Sequence, residues 1–275
     1  GSAALQTNST GSYNVAVGQQ ALQVATTATS NIAVGAYTLL TATTGSNNVA
    51  IGDSALRYGT TMAQNVAIGN NVLQSATGSY NTGLGYQALT TNTSGAYNTG
   101  LGAQALYSNT TASNNTALGS FSLYDNTTGA SNVAVGTSAL ENNTTAGSNT
   151  AVGYYAGYTN ITGTQITAIG WQALKASTGS YNSAFGSNSQ RDTSTGTVNT
   201  SLGVSSLLVN TTGSYNTALG GDALYNNTTA SNNTAVGYTA GYSTTTGIYN
   251  VAVGSGSLYT NTTGTQNTAI GGVAM

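Results

Sequence analysis

General acid–base chemistry in this chain would fall to Asp53, Asp125, Glu141, Asp192 and Asp222, because His and Cys are both absent. Such chemistry needs titratable groups held within hydrogen-bond reach of each other or of a substrate. The five acids are scattered over different repeats. Ser and Thr abound, yet without a neighbouring base none is an activated nucleophile. No Lys follows a glycine run at the place a phosphate-binding loop demands. Calcium-binding β-roll repeats need a recurring Asp, and none recurs. Asp53 and Arg57 read as an ordinary surface pair, and Arg191-Asp192, beside Gln190, as the mark of an irregular turn. These residues point away from an enzyme, and neither a cofactor nor a metal is expected.

Tyrosine is the residue type with a pattern. Of the eighteen tyrosines, Tyr107, Tyr124, Tyr158, Tyr225, Tyr242 and Tyr259 share one repeat position, and Tyr86, Tyr154 and Tyr238 share another with Trp171. Tyr13, Tyr80, Tyr97, Tyr181, Tyr215 and Tyr249 share a third. Aromatic side chains at regular spacing can stack on sugar rings or anchor a protein partner, or form ladders that seal turns and subunit seams. Packing at turns or seams is the expected role, with direct contact to a host surface protein or glycan as the alternative. Asn92, Asn109, Asn126, Asn143, Asn210, Asn227 and Asn261 each begin an Asn-x-Ser/Thr triplet in what reads as an exposed turn. Turn chemistry explains them; in a source that glycosylates, they would carry glycan.

All these columns are set by one repeat. Glycines recur at Gly1, Gly18, Gly35, Gly52, Gly69, Gly85, Gly102, Gly119, Gly136, Gly153, Gly170, Gly186, Gly203, Gly220, Gly237, Gly254 and Gly271. The gaps are 17 residues except for two of 16, at Gly69–Gly85 and Gly170–Gly186. A short fixed period along the whole chain means a solenoid. With each glycine as position 0, position −4 is Asn in fifteen of the sixteen repeats, with Ile166 the exception. Position −2 is small, −1 is large and apolar, and +4 is Leu except at Gly157, Gln190, Gly241 and Met275.

The residues around −4 to 0 alternate and are β-branched at −3 and −1, as in a short strand. A second short strand is expected around +2 to +5, with Gly at the bend and the Asn-Thr-Thr-Gly segment as the return turn. The fold class is therefore all-β: a parallel β-roll or β-solenoid of about sixteen 17-residue coils with two short strands per coil, forming a single repeat domain over 1–275. At about 4.8 Å per coil it would make a rod on the order of 75 Å long. The −1 and +4 columns are expected to stack as two apolar ribs and the −4 asparagines as an amide ladder. Ile166 should break that ladder, with Gln165 as a possible substitute. More apolar residues are present than one narrow coil can enclose, so a surplus face should pack against sister chains.

A net charge of −2 leaves no electrostatic footprint for nucleic acid. No apolar run is long enough to insert in a membrane as a helix. Gly1 falls in the glycine register, so it reads as native repeat sequence, and the chain reads as a piece of a longer fibre or a unit whose ends are covered by neighbours.

Units such as Asn65-Val66-Ala67-Ile68-Gly69 and Asn132-Val133-Ala134-Val135-Gly136 resemble the head repeats of trimeric autotransporter adhesins, the YadA-like group. The motif recurs over the whole chain, although that family's usual repeat is shorter. Similar repeats occur in phage tail-fibre-like proteins. The resemblance implies a left-handed β-roll assembled as a homotrimer in an extracellular or cell- or virion-surface fibre. The expected function is a structural and adhesive module of such a fibre. A filament subunit polymerising end to end is the alternative. An ice-binding solenoid would call for Thr-x-Thr on a strand face in every coil, whereas here the −3 column alternates Thr with Val and Ile.

Overall fold

The computed structural model describes residues 1–275 and divides into two compact units, Gly1–Thr137 and Ser138–Met275. Each is a parallel β-solenoid. The first contains β1 (Val15–Val17), β2 (Ile32–Val34), β3 (Val49–Ile51), β4 (Val66–Ile68), β5 (Thr82–Leu84), β6 (Thr99–Leu101), β7 (Thr116–Leu118) and β8 (Val133–Val135). The second contains β9 (Thr150–Val152), β10 (Thr167–Ile169), β11 (Ser183–Phe185), β12 (Thr200–Leu202), β13 (Thr217–Leu219), β14 (Thr234–Val236), β15 (Val251–Val253) and β16 (Thr268–Ile270). Within each unit consecutive strands pair in parallel and in register, so Ala33 faces Ala50 and Ala218 faces Ala235. The 16-residue repeats preserve that register: Val66 pairs with Thr82 and Thr167 with Ser183. Because a one-residue slip would turn every side chain over, the shortening is confined to the return turn.

Each coil has one strand, not two. Residues +2 to +5 form a turn-like segment in which +2 and +4 both have positive φ, as at Gln20 (55°) and Leu22 (49°). Side-chain type does not announce this, since a left-handed backbone is unfavourable for Leu by roughly 1–2 kcal/mol. Its reward is hydrogen bonding to both neighbouring coils. The Tyr37 N–H donates to the Gln19 carbonyl of the preceding coil (2.9 Å), and the Leu39 N–H to the Ala55 carbonyl of the following one (3.0 Å). Position −5 is also left-handed, as at Asn47 (59°), whereas the turn glycines such as Gly45 and Gly95 are not. Positive φ thus lies just outside the return turn.

The interior also differs from the expected one. Position −2 and not −1 points inward: Ala33, Ala50, Ala67, Ala151 and Ala168 are fully buried, and the −1 residues beside them are on the outer face. The strand lies too close to the facing segment for a large side chain at −2 opposite the Leu at +4. One Leu at +4 fills the space, as at Leu39, Leu56 and Leu106, and only Ala, Gly or Ser fits opposite at −2. Position 0 is Gly because its φ lies near +130° and because adjacent coils nearly touch there. A Cβ on Gly220 (φ 134°) would sit 2.5 Å from the Gly237 carbonyl oxygen.

The asparagine ladder holds the coils in register. Asn31 Oδ1 accepts the Asn48 N–H (3.0 Å), and Asn31 Nδ2 donates to the Gly45 carbonyl of the next coil (2.8 Å). The same two contacts recur at Asn98 with Asn115 N–H (3.0 Å) and the Ala112 carbonyl (2.8 Å), and at Asn216 with Asn233 N–H (3.0 Å) and the Ala230 carbonyl (2.8 Å). These amides are buried and bonded on both sides, the condition for a buried polar group not to cost stability. Ile166 still donates its N–H to Asn149 Oδ1 (3.0 Å) but offers Asn182 no acceptor. Gln165 stays on the surface and does not replace it.

Candidate interaction faces

The outer face of the sheet carries two columns, −3 (Thr, Val, Ile or Ser) and −1 (Val, Ile, Leu or Phe). In every strand both are exposed or half-buried while −2 is turned inward. Examples are Thr82-x-Leu84 and Thr99-x-Leu101 in the first unit, and Thr200-x-Leu202 and Thr217-x-Leu219 in the second, with Leu84, Leu101, Leu202 and Leu219 all exposed. Of the two expected apolar ribs, the +4 rib lies inside the coil and the −1 rib faces out.

No charge lies on this face. All eight charged residues occupy positions +1, +2, +5 or +6: Asp53, Arg57, Asp125, Glu141, Lys175, Arg191, Asp192 and Asp222. The one salt bridge is Arg191–Asp192 (2.8 Å), and this bidentate pair raises the pKa of the Arg191 guanidinium. Asp53 and Arg57 do not pair. Asp53 accepts from the Ser54 hydroxyl (3.1 Å), and Arg57 lies over the rings of Tyr37 and Tyr58, 4.8 and 5.1 Å from their centroids. No group of three or more acidic side chains is close enough to hold a metal ion. The turn at Gln190 is regular, and Gln190 is a fully buried core residue there. Its amide donates to Ser201 Oγ (2.8 Å) and to the Ser183 carbonyl (2.9 Å), while Ser189 bonds both Ser201 and Ser206.

The tyrosines at +5 form stacked ladders along the coils. Tyr107 and Tyr124 stack at 5.1 Å, and Tyr225, Tyr242 and Tyr259 at 5.2 and 5.1 Å. Tyr242 has a neighbour on each ring face, so no sugar can stack on it. Burial first, then the neighbouring Tyr225 and Tyr259, push its phenol pKa up. At +1, by contrast, Tyr86, Tyr154, Trp171 and Tyr238 stand exposed, and Tyr80 and Tyr97 at −5 are exposed and stacked at 4.8 Å. Around Tyr154 the rings gather. Tyr155 lies 4.1 Å from Tyr154 and 4.6 Å from Tyr158, with the Lys175 ammonium 5.5 Å from its centroid. Tyr155 sits at +2, a column with no aromatic periodicity, so column reading missed it; the Tyr154-Tyr155 doublet was its only signal.

The glycosylation reading fails on geometry at six of its seven positions. Asn92, Asn109, Asn126, Asn143, Asn210 and Asn227 are fully buried, and Asn261 is partly so. Each Nδ2, the atom a glycan would occupy, donates to the carbonyl three residues on: Asn92 to Gly95 (2.9 Å), Asn109 to Ala112 (3.0 Å), Asn210 to Gly213 (2.8 Å), Asn261 to Gly264 (3.2 Å). Asn126, Asn143 and Asn227 do the same. They form a second amide ladder, in which Asn109 also donates to Asn92 Oδ1 (2.7 Å) and Asn227 to Asn210 Oδ1 (2.9 Å).

No helix is long and apolar enough to cross a membrane. No protein-family model matches the chain, and no curated protein matches it.

Proposed function

We propose that this chain is a non-enzymatic structural and adhesive module of a surface fibre, and that its copies associate as a homotrimer through the outer face of the sheet. The observation that carries this reading is the partition of side chains. The −3/−1 face is uncharged and exposed or half-buried in each coil, with a large apolar residue at every −1, while all eight charges lie on the +1 to +6 segment. A contiguous apolar surface of this kind marks an interaction site. Keeping every charge off it avoids the cost of desolvating an unpaired ion when copies meet. The stacked, inward-bonded columns supply stiffness, and the aromatics grouped around Tyr154 are left for a partner outside the cell or virion.

Sedimentation of the purified chain tests the assembly. The wild type is expected at three times its 27.2 kDa monomer mass, and Leu101→Lys with Leu202→Lys at one times, with an unchanged far-ultraviolet spectrum. A wild type that stays monomeric at micromolar concentration overturns the proposal. A continuous distribution of higher masses replaces the trimer by end-to-end polymerisation.

A further inference from the structure

Trp171 is the only tryptophan in the chain, and it is 48% exposed at a position filled by Ser187 in the next coil. It adds nothing to the interior. Its coil is locked in register to its neighbours: the Gln172 N–H donates to the Tyr154 carbonyl (2.9 Å), and the Asn188 N–H to the Trp171 carbonyl (2.8 Å). Tyr154, 44% exposed, therefore occupies the same column one coil before it. Column +5 presents Glu141, Tyr158 and Lys175 in three successive coils. Their register is fixed by Asn142 N–H to the Tyr158 carbonyl (3.2 Å) and Thr159 N–H to the Lys175 carbonyl (2.9 Å). Tyr155 joins the two columns through its contacts with Tyr154, Tyr158 and Lys175.

We propose that Trp171, Tyr154, Tyr155, Tyr158, Glu141 and Lys175 form a binding site for an uncharged oligosaccharide lying along the solenoid. Four features select that ligand. The outward aromatic surface of Trp171 and Tyr154 suits the C–H face of a pyranose. The carboxylate of Glu141 accepts, the ammonium of Lys175 donates, and the phenols do both, which matches vicinal hydroxyls. One acid and one base cancel, so neither a polyanion nor a polycation is favoured. The coil repeat of about 4.8 Å is close to the rise of one sugar in an extended chain, so successive coils can address successive rings. The platform is preorganised, because its backbone is bonded to both neighbouring coils, which lowers the ordering cost of binding.

This proposal deepens the adhesive part of the function proposed above. It is read on the soluble protein whatever its assembly state, so failure of the trimer and failure of the sugar site give different results. Retardation of the native protein is measured in gels containing hydroxyethylcellulose, glycol chitin, laminarin or galactomannan. Trp171 emission is followed with cellohexaose and chitohexaose. The wild type is expected to be retarded by at least one polymer and to show a saturable emission change with a matching oligosaccharide. Trp171→Ser should weaken retardation at least about tenfold, the loss expected for a central aromatic anchor. Lys175→Met and Glu141→Gln should weaken it less. Tyr86→Ala, which removes an exposed aromatic of the same column elsewhere, should leave it unchanged. Circular dichroism establishes that each variant keeps the fold. No retardation in any gel together with unchanged emission overturns the proposal. Wild-type retardation in a folded Trp171→Ser also overturns it, as does equal weakening by Tyr86→Ala. Capture of a protein with no sugar response assigns the patch to protein contact instead.

Discussion

Ile166 Cδ1 lies 3.5 Å from the point that a Cβ on Gly157 would occupy. These are two of the chain's departures from its repeat, the one Asn replaced at −4 and one of the few Leu replaced at +4, and they face each other within a single coil. Gly157 keeps the left-handed φ of its column (61°) without the strain Leu bears there, and Ile166, 1% exposed, occupies volume the missing Leu would have filled. The coil exchanges a ladder amide for a second way of filling its interior.

A double-mutant cycle reads this exchange. Gly157→Leu alone brings its Cβ to 3.0 Å from Leu140 Cδ2 and also crowds Ile166. Ile166→Asn alone restores a ladder amide but leaves space beside Gly157. Each single change is expected to destabilise by about 1–3 kcal/mol, and the double change by less than their sum, with a coupling of about 0.5–3 kcal/mol. Denaturation followed by Trp171 emission reports the adjacent coil. Strict additivity would show that the two positions do not share their space.

The polar layer around Gln190 makes the opposite prediction. Gln190 Oε1 is buried and has no hydrogen-bond partner, and Thr193 Oγ1 in the same coil has none. An unmade buried bond costs about 1–3 kcal/mol. Gln190→Leu with Ser201→Ala, the residues usual at those positions, should therefore raise the unfolding temperature. A fall in calorimetry would show that the layer is satisfied by something it binds, such as ordered water.

How far the fold was legible depends on how many constraints each column had to satisfy. Asn31 and Asn48 were readable as a ladder because a residue that bonds its own equivalent in the next coil must recur without drift. The second strand was not readable, because Leu22 and Leu39 carry no mark of a left-handed backbone; tertiary hydrogen bonding imposes it against local preference. Val34 and Leu101 were readable as members of an apolar rib, but their type does not say which face they take, because the interior is already filled by Leu at +4 and a small residue at −2. Asn92 and Asn109 looked exposed because Asn-Thr-Ser and Asn-Thr-Thr are turn sequences, and nothing local records that their amides turn inward. Of the candidate contact residues, Trp171 and Tyr154 stand where a partner can reach them. Tyr242 is enclosed between two rings that its own periodicity supplied.

The bend column separates conformational strain from simple space. Gly220→Ala places a Cβ against the Gly237 carbonyl at φ 134° and is expected to cost about 3 kcal/mol or more. Gly100→Ala restores the usual residue at −2, where the nearest atom is the Ala105 carbonyl oxygen at 3.3 Å. It should be neutral, or stabilising by up to about 1 kcal/mol. Urea unfolding of the two variants checks this. Similar costs at both positions would mean that neither φ nor inter-coil distance sets the bend.

The ladder Tyr225–Tyr242–Tyr259 predicts an alkaline limit. Burial, then the neighbouring Tyr225 and Tyr259, raise the Tyr242 phenol above its ordinary value of 10.0. The folded protein therefore holds the proton more tightly than the unfolded chain. The associated stability is complete below pH 10.0 and is lost as pH rises through the folded value, because the unfolded state ionises first. Absorbance of phenolate near the red edge of the tyrosine band should show a late-titrating fraction. Tyr225→Phe combined with Tyr259→Phe removes both neighbouring phenols, retains both rings, and should move that fraction toward 10.0. Because the rings still stack, any such movement measures the electrostatic part of the shift. Tyr155, whose phenol is also raised, titrates late in both proteins; if the share belonging to Tyr242 stays where it was, the two neighbouring phenols do not hold its proton.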